Sequence, residues 1–108
     1  MAWKKSSTAA VQRFDEIVAV DGAERGLLFG CPIYVLKGTR YATLYQDRVV
    51  LRLSPKDTAQ LIARGGLAFE PIKGRKSKDR VVLPDAISRN PRALRGWVLK
   101  SVAYARSE

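Results

Sequence analysis

Between Arg25 and Leu53 the chain reads RGLLFGCPIYVLKGTRYATLYQDRVVLRL, a run of short apolar segments punctuated by turn residues. Gly30 to Pro32 separates the first segment from the second, Lys37-Gly38 closes one hairpin and Gln46-Asp47 closes another. β-Branched and aromatic residues fill the intervals, so the stretch predicts four strands in series, an antiparallel meander. A sheet with an apolar face must be covered. The segments on either side are expected to supply that cover, as helices and a smaller strand pair over one face.

Alternation assigns the faces of the meander. Ile33 and Val35, with Lys37, oppose Tyr34 and Leu36; Tyr41, Thr43 and Tyr45 oppose Ala42 and Leu44; Val49, Leu51 and Leu53 oppose Arg48, Val50 and Arg52. The last pattern has a wet face. The middle two carry apolar groups on both sides, which is expected to leave tyrosines half-exposed on an outer surface.

Residues 1–7, which end in Lys4-Lys5-Ser6-Ser7, are expected to fray. From Thr8, Val11, Phe14, Ile17 and Val18 recur at helical spacing, with Ser7 or Thr8 as cap and Asp21-Gly22 as the end. Ser54-Pro55-Lys56-Asp57 starts a second helix: a serine cap, proline at the first helical position and an acid three residues after the cap. Leu61 and Ile62 give it an apolar stripe toward the preceding sheet, and Gly65-Gly66 stops it. Leu67 to Ile72 and Arg80 to Leu83 read as two strands. Pro84 ends the second, and the segment to Arg89 has room for one turn. Asn90-Pro91 repeats the cap-and-proline pattern ahead of a last helix with Leu94, Trp97, Val98, Ser101, Val102 and Ala105 on one stripe. The expected fold is α+β, a two-layer sandwich of three helices on an antiparallel sheet built from the four-strand meander and a two-strand hairpin. Its order is helix, meander, helix, two strands, helix, in a single domain over residues 1–108.

That length supports one core without disulfides or a structural metal, and 46% hydrophobic residues supply it. Charge is lopsided: 20 Lys and Arg against 10 Asp and Glu give +10 at pH 7, with no histidine. Such a field attracts polyanions, with nucleic acid the usual one. Cys31 is alone and makes no internal disulfide, which suits a reducing, cytoplasmic setting. The amino terminus lacks the apolar core of a signal peptide, and no apolar run approaches the roughly 18 residues of a membrane helix. No membrane association is expected.

Catalysis finds little footing. Without histidine the usual neutral-pH base is missing, and the acids are scattered, Asp15 and Glu16 being sequence neighbours rather than a facing pair. Cys31 with Arg25 nearby is a candidate nucleophile, weighed against a small buried residue before a proline. Gly65-Gly66 follows a helix, the wrong end for binding phosphate. A non-enzymatic protein without metal or cofactor is expected.

The densest charge is the loop after Ile72. Lys73, Arg75, Lys76, Lys78 and Arg80 face one acid, Asp79. This loop is the candidate contact for a DNA or RNA backbone, extended by Arg89, Arg92 and Arg95 if the last helix starts beside it. Phosphate contact without base reading is the expectation, with Tyr34, Tyr41 and Tyr45 as candidates for stacking. The alternatives are a solvated loop that keeps the chain soluble, and a protein-interaction module that pairs its outer sheet face with a partner or a second copy.

The order of these signals resembles the amino-terminal domain of the TfoX/Sxy family of bacterial competence regulators. The similarity runs through RGLLFG at Arg25 to Gly30, the Lys37-Gly38 turn, Tyr41-Ala42, Tyr45 to Leu53 leading into Ser54-Pro55, and Pro91 to Ala105 with Trp97. Cys31 stands where the family often has a second glycine. The resemblance implies a compact two-layer α+β domain, a stand-alone one without the helical carboxy-terminal domain of full-length regulators. It also implies a role in regulating DNA-uptake genes through a transcription activator rather than through catalysis.

Overall fold

A computed structural model describes residues 6–70, 74 and 76–107. Three two-residue turns build its sheet. β1 (Glu24–Leu28), β2 (Cys31–Leu36), β3 (Thr39–Tyr45) and β4 (Arg48–Arg52) are joined by Phe29-Gly30, Lys37-Gly38 and Gln46-Asp47, and all six turn residues have positive φ. Two consecutive residues of that kind match the right-handed twist of the strands they join. Cys31 and Pro32 therefore belong to β2, and the break expected at Gly30 to Pro32 falls one residue earlier.

The strand pair after the meander does not cover a face of the sheet. β5 (Leu67–Ala68) and β6 (Arg80–Val82) extend its edge, giving one six-stranded antiparallel sheet in the order β1-β2-β3-β4-β6-β5. Both strands are shorter than their apolar patterns suggested, and Ile72 lies outside the described residues. Phe69 follows β5 and turns onto the outer face, where it packs with Val50, Val82 and Tyr45.

The helices share the other face. α1 (Thr8–Val18) is capped by the Ser7 side chain, which accepts from the Ala10 N–H at 3.2 Å. It ends at Val18 rather than at Gly22, because Ala19 is already extended. Asp21-Gly22 instead forms a separate turn, closed by Ala23 N–H to the Val20 carbonyl at 3.1 Å, that feeds β1. α2 (Pro55–Ala63) begins as predicted, with Ser54 Oγ accepting from Asp57 N–H at 3.2 Å. It packs chiefly on β5 and β6, with Leu61 reaching the core shared with Leu51 and Leu53. Gly66 permits that closeness: a Cβ there would come within 2.9 Å of the Leu61 carbonyl and 3.0 Å of Val81. The segment after Pro84 forms one turn, α3 (Asp85–Ser88), a fourth helix. α4 (Pro91–Arg106) is capped by Asn90, whose side chain accepts from two N–H groups, and buries all six residues of its predicted stripe.

The core lies between the helices and the sheet. Phe14 and Val18 of α1, Leu61 of α2, and Leu94, Trp97, Val98 and Val102 of α4 meet Leu36, Leu44, Leu51 and Val81 of the strands. One sequence expectation is reversed here. Tyr41 is buried in this core with Ala42, although alternation set them on opposite faces. The β2–β3 register jumps between Tyr34, opposite Ala42, and Val35, opposite Arg40, so Tyr41 is an extra residue in a bulge. Its hydroxyl donates to the Val18 carbonyl at 2.8 Å. Ser101 of α4 lies 3.0 Å from the Tyr41 carbonyl and 2.6 Å from that of Arg52. A hydroxyl has one proton, so Ser101 serves one of these carbonyls at a time. This explains a serine in an otherwise apolar stripe.

Candidate nucleic-acid interface

The basic loop is anchored at both ends of its hairpin. Phe69 N–H donates to the Arg80 carbonyl at 2.9 Å, and Ser77 N–H donates to the Phe69 carbonyl at 2.7 Å. Lys73 and Arg75 lie outside the described residues. Lys76 and Lys78 are exposed on either side of Ser77, and Arg80 opens β6 half-buried. Asp79, the acid of the loop, is heavily used. Its carboxylate accepts from Arg52 Nε at 3.0 Å and from Ser77 Oγ at 3.1 Å, and lies 3.6 Å from an Arg80 nitrogen. Its backbone carbonyl accepts from Leu53 N–H at 2.9 Å. Arg52 stands opposite Arg80 in the β4–β6 register, and its guanidinium also lies 4.7 Å from the Tyr104 ring centroid. The loop thus opens onto a cluster of strand arginines.

Arg92 and Arg95 do not join it. Tyr104, near the carboxy-terminal end of α4, is the residue that meets Arg52 beside the loop. Arg92 lies twelve residues earlier on the same helix, about 18 Å away along the axis at 1.5 Å per residue. Arg95 leans instead toward α1, with a nitrogen 3.4 Å from the Ile17 carbonyl. Arg89 lines a separate groove of about 340 Å³ between α1, the β3–β4 turn and α3. Arg13 and Arg48 share its rim with Asp47 and Asp85, over a floor of Phe14, Leu44 and Leu94. The sequence grouped two basic regions that the fold holds apart.

Of the three tyrosines considered for stacking, Tyr34 and Tyr41 are buried in the core. Tyr34 donates to Asp15 at 2.7 Å, while Arg25 Nε approaches the same carboxylate oxygen at 2.9 Å. Burial first, and the Asp15 contact second, push the Tyr34 phenol up to about 12. Burial likewise pushes Tyr41 up to about 12. Tyr45 reaches the outer face, where it meets the Phe69 ring edge-on at 5.3 Å.

Cys31 is buried, and burial raises its thiol pKa, away from the thiolate a nucleophile needs. Arg25 pairs with Asp15, and that contact raises its own pKa. Among the described residues no group of three His, Cys, Asp or Glu could hold a metal, and no helix is long and apolar enough to cross a membrane.

Two residues of this surface escaped the sequence reading, Arg40 of β3 and Arg52 of β4. Arg52 was seen only as part of a wet strand face. Its meeting with Arg80 depends on β6 pairing with β4, 27 residues on in the chain for Asp79 and one more for Arg80. Compared with known proteins, the chain matches no family model, no curated protein and no solved structure.

Proposed function

We propose that this chain is a non-catalytic binding domain that contacts the phosphate backbone of nucleic acid through Lys76, Lys78 and Arg80, with Lys73 and Arg75 in the same loop. The observation that carries the reading is the exposure of Lys76 and Lys78 beside the half-buried Arg80, where the neighbouring acid, Asp79, is already shared by two arginines. Cations left in excess at a surface are neutralised by polyanions, with release of counterions. The resemblance to the TfoX amino-terminal domain fits a binding role of this kind in regulation, in a cytoplasmic setting. Arg92 and Arg95 belong to a second basic region and enter only with a ligand long enough to span both. The alternative, docking of a protein or a second copy on the outer sheet face, has Tyr45 to offer of the three tyrosines first considered.

The test is fluorescence anisotropy with a labelled random DNA duplex and an RNA hairpin across a salt series. Binding is expected to fall linearly on a log–log plot. The double reversal K76E/K78E is expected to abolish it near physiological salt and to lower the slope by about 2, since each duplex phosphate contact contributes roughly 0.9. No wild-type binding near physiological salt would overturn the reading and reduce the +10 charge to a solubility feature.

A further inference from the structure

We propose that Arg40 and Arg80 form a seat for a phosphate group on the outer face of the sheet. The seat deepens the nucleic-acid reading and rests on it only for the source of the phosphate.

Arg40 lies one residue before the bulge. With Tyr41 thrown inward, Arg40 stands opposite Val35 on the face away from the helices. Arg80 is on the same face, two residues from Val82 of the outer cluster. Strands β3 and β6 are separated by β4 alone, so long side chains on these two strands can reach a common ligand roughly 10 Å apart at the backbone.

Among the described residues Arg40 lacks the carboxylate and ring contacts that hold Arg52 on the intervening strand. The Arg40 Nε is shielded from solvent and, among the described residues, has no hydrogen-bond partner. Nor does any carboxylate of the described residues form an ion pair with it. Arg52 also has a shielded nitrogen, Nη1, but that side chain, only 14% exposed, holds Asp79 through Nε and stacks on Tyr104. Burial, and then the nearby charge of Arg80, hold Arg40 below the ordinary arginine pKa. A guanidinium keeps its proton in proteins, so lost hydration has to be replaced by an acceptor.

No acceptor among the described residues meets the Arg40 Nε. Asp79 is engaged by Arg52, Ser77 and Arg80. A phosphate suits two neighbouring arginines because each planar guanidinium can donate two parallel N–H groups to it. Its tetrahedral oxygens can meet donors arriving from two strands, whereas a carboxylate presents both oxygens along one edge. Lys76 and Lys78 continue from Asp79 along the chain, where they would take neighbouring phosphates of a bound strand. A phosphodiester of nucleic acid and a free or terminal phosphate share this chemistry.

The test is NMR of the arginine Nε–Hε groups in the full chain, with Arg40 assigned by R40Q. Inorganic phosphate, a short oligonucleotide, and chloride at matched ionic strength are titrated separately. Saturable shifts of Arg40 and Arg80 with phosphate or oligonucleotide, and none with chloride, are expected. R40Q is expected to weaken phosphate binding roughly tenfold to a hundredfold, the range for hydrogen bonds to charged groups, without lowering the melting temperature. K76E/K78E is expected to lose the oligonucleotide and keep inorganic phosphate. Shifts with phosphate but no oligonucleotide binding would support the seat as a site for free phosphate while defeating the backbone reading. Oligonucleotide binding with the Arg40 signal unmoved would overturn the seat and leave the loop reading standing. An Arg40 signal unmoved by either ligand would also overturn it.

Discussion

On the helix-covered face of the sheet, Leu36, Leu44, Leu51 and Val81 share one buried cluster with Phe14, Leu61, Leu94 and Val98, all almost fully removed from solvent. On the outer face, the apolar cluster of Val50, Val82 and Phe69 is small, and arginines on β3, β4 and β6 begin beside it. The same strands carry both sets on alternate residues. The difference separates two tasks. Apolar burial on the inner face is worth roughly 25 cal/mol for each Å² removed from water, and it decides whether the domain folds. The exposed loop cations Lys76 and Lys78 beside this face add little to stability, because exposed pairs are worth about 0–1 kcal/mol, and they remain available for a ligand.

The largest effect that would sharpen this contrast is Leu51→Ala. Leu51 is fully buried, and truncation is expected to cost about 2–5 kcal/mol through lost transfer energy and the cavity left behind. Chemical denaturation checks it. A loss smaller than that from Val82→Ala on the outer cluster would break the comparison.

Alkaline pH attacks the same inner face. Tyr34 and Tyr41 are each raised from 10 to about 12, so the folded state holds their protons more tightly than the unfolded chain does. The stability they contribute is complete below pH 10 and is lost as pH rises from 10 through 12. Each unit of difference is worth about 1.4 kcal/mol, which makes Tyr41 alone responsible for about 3 kcal/mol. Tyr41→Phe is expected to be less stable at neutral pH but to show a shallower fall in stability between pH 10 and 12. An unchanged alkaline slope would sink the assignment.

Ser101→Ala comes next, at about 1–3 kcal/mol for leaving a buried acceptor unserved. The bulge at Tyr41 makes the serine necessary, so Ser101→Ala should be destabilising although it adds apolar character to the stripe. Thermal melts would read it. A variant at least as stable as the parent would mean that the carbonyls find other donors.

The smallest stability change is expected on the outer surface. K76E/K78E should alter unfolding free energy by no more than about 0.5 kcal/mol, although it is the variant expected to lose nucleic acid. Binding and stability falling together would show that the two faces are not independent.

Much of this fold is legible in local sequence. Ser54, Asn90 and Ser7 cap the helices that their spacing announces, and each does so with its own side chain. Lys37-Gly38 and Gln46-Asp47 turn where they were expected to turn. The candidate site was legible only in part. Lys76, Lys78 and Arg80 stand out as a charge run, but Arg40 is a lone arginine in a strand, and nothing within its segment points to Arg80. Grouping Arg92 and Arg95 with the loop required knowing which end of α4 lies near β6.

By itself the sequence determined the turns, the caps and the helical stripes, because those depend on backbone preferences and side chains within a few residues of each other. Tertiary structure alone decided that β6 pairs with β4, that Tyr41 is the bulged residue, and that Arg40 shares a face with Arg80. Strand pairing joins segments far apart in the chain, and a single inserted residue reverses which side chains face the core. No local pattern encodes that reversal. It follows from where the helices find room for Tyr41 and where Ser101 can meet its carbonyl.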